Sequence, residues 1–484
     1  MIPEAFLVLA LIVVFIQDFI IAGKKVKGYT LAATTIGLLA IVTTVCLTAS
    51  PAEAFGGMYV ATKAANVMKA ILAAGTLVVV LMAQPWIESQ EQNVKYEGEF
   101  YLLVLSTLLG MFMMTSSGNF LMFFLGLETA SVPMACLVAF DKYRKTSAEA
   151  AAKYILTATF SSGVMLYGIS FLYGAVGTLY FDDVAKHIAF LTNFKSQMPM
   201  LLTGLVFFFS GLGFKLSLVP FHFWTADTYE GAPTAVTGYL SVVSKGAAAF
   251  ALMAILAKVF QPLTEYWEYM LYIVIVLSIT VANLFALRQQ ELKRFMAFSS
   301  ISQAGYIMLA VIGASQMGMA SLMYYVLVYV VANMAVFTVI SAVEHNGQCS
   351  KVNGQPLTML SAYNGLYQTN PRLTFLMTLA LFSLAGIPPF AGMFSKFFVF
   401  MAAAQQGSYW AYFVVFVALI NTVPSLYYYL RIVKAMYITP CETPLPTFRT
   451  AATTRVALAL CTAGIALFGV CSCLYDYLFN AAAL

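Results

Sequence analysis

Fourteen apolar runs, each of the roughly 20 residues that cross a bilayer as a helix, occupy nearly all of this 484-residue chain. They begin near Glu4, Thr30, Val67, Glu99, Asn119, Glu149, Met200, Thr234, Met270, Phe295, Gly318, Arg372, Tyr409 and Thr453. Hydrophobic residues make up 61% of the chain and charged residues 9%, against roughly 25% charged in a soluble domain. The expected fold is therefore an all-α polytopic membrane protein with about fourteen transmembrane helices. The first run lacks a basic leader and an Ala-x-Ala-like site, so it reads as a span and not a cleaved signal.

Two of the runs are interrupted by proline, and each carries a lysine nearby. Lys215 precedes Pro220 by five residues in Gly211–Trp224, and Lys396 follows Pro389 by seven in Gly386–Lys396. Freed backbone or a mid-depth charge is costly in lipid and is tolerated where it lines a polar interior. Paired breaks therefore point to an ion path. They fall in helices 7 and 12, five spans apart, and an odd offset makes them run in opposite directions. The expectation is two inverted five-helix repeats, helices 4–8 and 9–13, with transport sites at the broken helices. In residues, 1–98 would hold helices 1–3, 99–260 the first repeat, 266–436 the second, and 437–484 the C-terminal loop and helix 14.

Loop cations set the orientation. Lys24, Lys25, Lys27, Lys142, Arg144, Lys145, Arg288, Lys293, Arg294, Arg431, Lys434, Arg449 and Arg455 all fall on one side, while the other has only scattered Lys63, Lys186, Lys195 and Lys258. Both termini are thus expected to face away from the cytoplasm. The loop with Glu88, Glu91, Glu97 and Glu99 supports this little. The net charge of +5 reflects topology and not nucleic-acid binding. Seven scattered cysteines, three distant histidines (His187, His222, His345) and the lack of a Walker A or GxGxxG loop suggest no cofactor and no metal in this chain.

Depth in the bilayer ranks the ionisable residues. Lys215 lies about 21 Å along the run from Leu201 to Trp224 at ~1.5 Å per residue, too deep to snorkel; it is a functional-site candidate or a structural cap for carbonyls freed at the break. Lys245 and Glu128 are also mid-span, with small neighbours leaving room for water beside Lys245. Lys153, a turn after Glu149, reads as either relay or interfacial, and Lys396 sits past the second break. Asp18 and Lys69 read as interfacial. His222 could relay a proton or satisfy an unwound turn, and Asp227 and Glu230 could form a proton entrance or cap helix 8. Gly126, Gly163, Gly168 and Gly246 are expected to let helices approach closely, and the Met and aromatic residues to face lipid or fill the bundle.

Gly126-Leu127-Glu128, Ala151-Ala152-Lys153-Tyr154, Gly213-Phe214-Lys215 through Trp224 to Glu230-Gly231-Ala232-Pro233-Thr234, Ser244-Lys245, Lys293-Arg294-Phe295 with Ser299-Ser300-Ile301-Ser302, and Gly386-Ile387-Pro388-Pro389 to Lys396 together resemble the antiporter-like membrane subunits of proton-pumping NADH:quinone oxidoreductase, respiratory complex I. The resemblance runs from about residue 100 to 435. Lys396 after Gly-Ile-Pro-Pro is similar to the N-type branch or to Mrp-type antiporter subunits and not to the M-type. An end at residue 484 leaves no room for the lateral helix of the L-type. Gln303 stands where the N-type commonly has histidine, so a relay through helix 10 would need water or hydroxyls.

The resemblance implies a proton relay of Glu128, Lys153, Lys215, Lys245 and Lys396, with Glu128 paired to Lys153 or Lys215, and His222, Asp227 and Glu230 as further relay candidates. It implies that NADH, FMN, iron–sulfur clusters and quinone belong to partner subunits, and that the partners are other membrane-arm subunits. The competing readings are an Mrp-type cation/proton antiporter subunit and a non-pumping membrane scaffold.

Overall fold

The computed structural model describes residues 1–21, 29–89, 94, 96–142, 144–192, 197–346, 351–352, 355–440, 445–471 and 473–482. Lys24, Lys25, Lys27, Glu91 and Lys195 lie outside them. Each of the fourteen expected runs is a helix. Spans 1 to 6 are Ile2–Ile21, Tyr29–Thr48, Lys63–Ser89, Glu97–Thr115, Phe120–Val138 and Lys145–Val176. Span 7 is broken into Met198–Leu216 (7a) and Phe223–Gly231 (7b), and span 8 runs through Thr234–Gly238, a π-helical turn Tyr239–Ser244 and Lys245–Lys258. Spans 9 to 11 are Thr264–Ala286, Leu292–Leu309 and Gln316–Asn346; span 12 is Pro371–Ala385 (12a) and Ala391–Ala404 (12b); spans 13 and 14 are Tyr409–Tyr437 and Ala452–Val470. Among the described residues, twelve helices are long and apolar enough to cross a membrane unaided. The other two are span 10, with Lys293 and Arg294 in its first turn, and the broken span 12.

Burial separates a core from a lipid-facing shell. Spans 3, 8 and 11 are buried over 89% of their apolar windows and span 1 over 17%. Span 3 lies outside the expected repeats, yet it packs on spans 2, 4, 11 and 14. That position overturns the interfacial reading of Lys69. Its ammonium is fully buried, 2.5 Å from Glu4 Oε1, and donates to the Tyr59 hydroxyl at 3.1 Å. Tyr59 in turn donates to Glu4 Oε2. The partners come from span 1 and from the hairpin Ala52–Ala54/Tyr59–Ala61, neither of which is visible in the sequence around Lys69. Asp18 is partly exposed near the end of span 1, against Gly98.

Close helix approach occurs where glycine expectations pointed, with one exception. A Cβ on Gly126 would sit 2.6 Å from the Met114 nitrogen, one on Gly168 2.6 Å from the Phe208 nitrogen, and one on Gly246 2.6 Å from Val326 Cγ1. Gly110 and Gly204 complete the first two contacts from the facing helices. Gly163 has nothing within 4 Å and faces open space. Gly246, directly after Lys245, is likewise spent on close packing against Val326 and Met68.

Among the described loop cations, Lys258 pairs with Asp182 at 2.8 Å and Lys186 with Asp183 at 3.6 Å.

Candidate functional site

Span 7a ends at Ser217, whose φ of 60° turns the chain out of the helix. The carbonyls freed there are taken up locally: Leu218 N–H donates to Gly213 O at 2.8 Å and Trp224 Nε1 to Phe214 O at 3.1 Å. Trp224 therefore does the capping weighed for Lys215. Lys215 itself, 5% exposed, reaches across to donate to Ser131 Oγ at 2.9 Å on span 5 and to the Tyr154 hydroxyl at 3.4 Å on span 6.

The expected Glu128–lysine contact is absent: among the described residues Glu128 forms no ion pair with either lysine. The reason is helical phase. Glu128 falls in register with Leu121, Leu125 and Val132, which are 46%, 47% and 50% exposed, on the outer stripe of span 5. Ser131 faces inward and meets Lys215.

Lys153 is exposed, as the interfacial reading expects, and is paired with Glu149 and Asp227 at 2.7 Å each. Arg294 continues the row to Asp227 at 3.0 Å and Glu230 at 2.6 Å. This ladder ties span 6, half-helix 7b and span 10 together. Asp227 and Glu230 are thus held by cations and cap nothing on span 8, whose Thr234 hydroxyl donates instead to Glu344. Glu291, just before span 10, accepts from Arg294 N–H at 2.5 Å; burial pushes its carboxyl up from the ordinary value while Lys293 pulls it back. His222 is buried beside Phe223, with Nδ1 unpartnered.

Lys245 follows the π-helical turn, a feature with no signature in Tyr239-Leu240-Ser241-Val242-Val243-Ser244. Such turns often occur at functional sites. The lysine, 1% exposed, donates to Ser300 Oγ at 2.7 Å and lies 5.5 Å from the Tyr229 ring centroid; Tyr229 OH is 3.2 Å from the same Ser300 oxygen.

Lys396, on 12b, donates to the Ala385 carbonyl at the end of 12a at 2.9 Å and lies 5.2 Å from the Tyr306 ring centroid. The capping role considered for Lys215 belongs here. Gly386 makes it possible: its φ is 87°, and a Cβ would approach Lys396 Cδ to 3.1 Å. Gly392 is tighter still, because a Cβ there would fall 1.7 Å from Ser383 O. Gly392→Ala is expected to cost at least the 1–3 kcal/mol of ordinary overpacking, seen as a lower melting temperature and yield of the detergent-extracted protein while Gly163→Ala leaves both unchanged.

Between Lys245 and Lys396 stands a set of hydroxyls that sequence reading missed. Ser299 Oγ and Tyr429 OH are 2.5 Å apart, Gln303 Nε2 donates to Tyr429 OH at 3.2 Å, and Tyr325 donates to Gln303 Oε1. Tyr329, fully inside the bundle, has an unpartnered hydroxyl. A small cavity of about 10 Å³ joins Gln303, Tyr325, Tyr329, Ser383 and Lys396. The sequence reading assigns the aromatic residues to lipid-facing or bundle-filling roles and does not single these tyrosines out. Their shared signal is spacing: Tyr325 and Tyr329 are one turn apart on the buried span 11.

Residues 117–421 match the family described as NADH:quinone oxidoreductase/Mrp antiporter, TM. A protein of Phocaeicola vulgatus called NADH-quinone oxidoreductase subunit N is 60% identical over 430 residues, 89% of this chain and 87% of that one. One of the same name from Azobacteroides pseudotrichonymphae is 52% identical, covering 88% and 85%. Among solved structures, a chain of respiratory complex I from Thermus thermophilus with bound aureothin aligns at a TM-score of 0.79 with 30% identity over 97% of both chains. A chain of the Mrp complex from Dietzia sp. aligns at 0.81 with 20% identity, covering 100% and 97%, a likeness of fold. The family match runs from span 5 into span 13 and includes every residue from Glu128 to Lys396 discussed above. This chain belongs to the NADH:quinone oxidoreductase/Mrp antiporter transmembrane family.

Proposed function

We propose that the chain is the N-type, proton-translocating membrane-arm subunit of an NADH:quinone oxidoreductase. One observation carries the mechanism: Lys215, Lys245 and Lys396 are buried, each stands at a helix irregularity, and among the described residues each hydrogen-bonds to neutral oxygens only. Hydroxyl partners suit both forms of an amine because a hydroxyl can donate or accept. Lys215 and Lys245 can therefore gain and lose a proton without stranding a buried carboxylate. Ser300, Tyr329, Gln303, Tyr325 and Tyr429 fill the interval to Lys396, with the side-chain amide of Gln303 where a titrating ring is common in the family.

Glu128, on the outer stripe, is available to a cation of a neighbouring membrane subunit. Lys153, Asp227 and Glu230 form the outer ladder, with His222 between that ladder and the break. The repeats are 99–260 and 266–436. Moving one charge against 100 mV costs about 2.3 kcal/mol, energy that comes from NADH oxidation and quinone reduction on FMN and iron–sulfur clusters in partner subunits. The bacterial relatives and the cation asymmetry favour an inner-membrane location with periplasmic termini.

Native purification with identification of the co-purifying chains tests this reading, together with NADH-driven proton uptake in inverted vesicles. Dehydrogenase and membrane-arm chains are expected, with uptake independent of sodium. The Dietzia likeness of fold favours a second reading, an Mrp-type antiporter subunit; sodium-driven proton movement without a dehydrogenase partner would establish it in place of the first.

A further inference from the structure

Away from the lysines, a cavity of about 940 Å³ opens where spans 12a and 14 begin. Its rim holds Arg372, Arg449 and Arg455, and its wall continues below them as Leu373, Leu376 and Leu458. Arg372 lies in the first turn of 12a and Arg455 in the first turn of span 14, with Arg449 in the extended stretch just before it. All three guanidinium groups are thus at one membrane face.

The rim is a built feature. Asn370 Nδ2 donates to Pro446 O at 3.1 Å, Thr447 Oγ1 to Thr369 O at 3.2 Å, and Phe448 N–H to Asn370 Oδ1 at 3.3 Å. These bonds stitch the stretch before span 14 to the entry of 12a. No carboxylate lines the cavity, and among the described residues none of the three arginines is ion-paired. Two helix starts add unsatisfied N–H groups and the positive ends of their dipoles.

We infer that this cavity binds an anionic phospholipid, its phosphate on the three arginines and an acyl chain along the apolar wall between spans 12a and 14. Basic pockets between transmembrane helices recognise such headgroups, and the volume lies within the range of 300–1,000 Å³ typical of ligand sites. A soluble anion would use the rim but not the apolar wall. Phe375, Val456 and Leu460, 55%, 49% and 50% exposed on the same two helices, carry that apolar surface outward to the surrounding lipid.

The test is native mass spectrometry of the assembly containing the chain, extracted in dodecyl maltoside, before and after adding phosphatidylglycerol or phosphatidylcholine vesicles. Wild type should retain a phosphatidylglycerol or cardiolipin adduct. The triple variant Arg372→Gln, Arg449→Gln, Arg455→Gln should bind about a hundredfold more weakly, at roughly fivefold per arginine near an anionic surface. The triple Arg→Lys variant should retain most binding, which separates lost charge from lost folding. Equal retention by the glutamine variant, equal uptake of phosphatidylcholine, or displacement by excess inorganic phosphate would overturn the inference. Loss of another subunit from the glutamine variant would do so too, marking the cavity as a protein interface.

Discussion

Lys215→Ala is expected to cut proton flux by about a hundredfold, the low end of what a positioned proton-transfer group contributes, with the assembly intact on native gels. Among the described residues the lysine's hydrogen bonds go to Ser131 and Tyr154, while Trp224 and Leu218 hold the break. Removing the amine therefore leaves the turn supported. Lys215→Arg should fail nearly as badly, since a guanidinium does not release its proton in the accessible range. Proteoliposome flux per electron distinguishes the outcomes: wild-type pumping by an assembled Lys215→Ala protein refutes a relay role, and disassembly would make the lysine structural. Glu128→Gln should be milder than Lys215→Ala, because among the described residues Glu128 forms no ion pair with Lys215.

Lys245→Ala and Lys396→Ala are each expected to lower flux by at least about tenfold, and the double variant should be little worse than the poorer single. Groups acting as one unit give strongly non-additive losses. Lys245 meets Ser300 on span 10, and Gln303, one turn further along the same helix, shares a cavity with Lys396. Losses that multiply would separate the two lysines into independent paths. Lys396→Ala has a second expected effect, a modest fall in thermal stability from losing the bond to Ala385 O; Lys245→Ala, which supports no backbone carbonyl, lacks it.

Much of this could be read from the chain because a membrane makes depth countable. Lys215 and Lys245 stand far from the ends of apolar runs, Pro220 and Pro388-Pro389 mark where runs break, and Lys396 is found by its place past the second break. Direction around a helix is harder to read, since in lipid both faces of a span are apolar. Glu128 and Ser131 lie three residues apart, and nothing local says that the serine faces the lysine. Lys69 failed for another reason: its distance from the span end was read correctly, but Glu4 and the Tyr59 hairpin, which enclose it, lie far away in sequence. The π-helical turn before Lys245 is built from ordinary Leu, Ser and Val, so packing and not composition selects it.

The glycine contacts in the first half of the bundle have a mechanical consequence. Spans 4 and 5 meet backbone to backbone at Gly110 and Gly126, and spans 6 and 7a do the same at Gly168 and Gly204. Contacts that close leave little freedom to slide, so each pair moves as one body and displacement concentrates at the seam between them. The Lys215–Ser131 bond crosses that seam, whereas Tyr154 travels with Lys215 on its own side. A small parting of the two pairs would hand the lysine from serine to tyrosine without unwinding any helix.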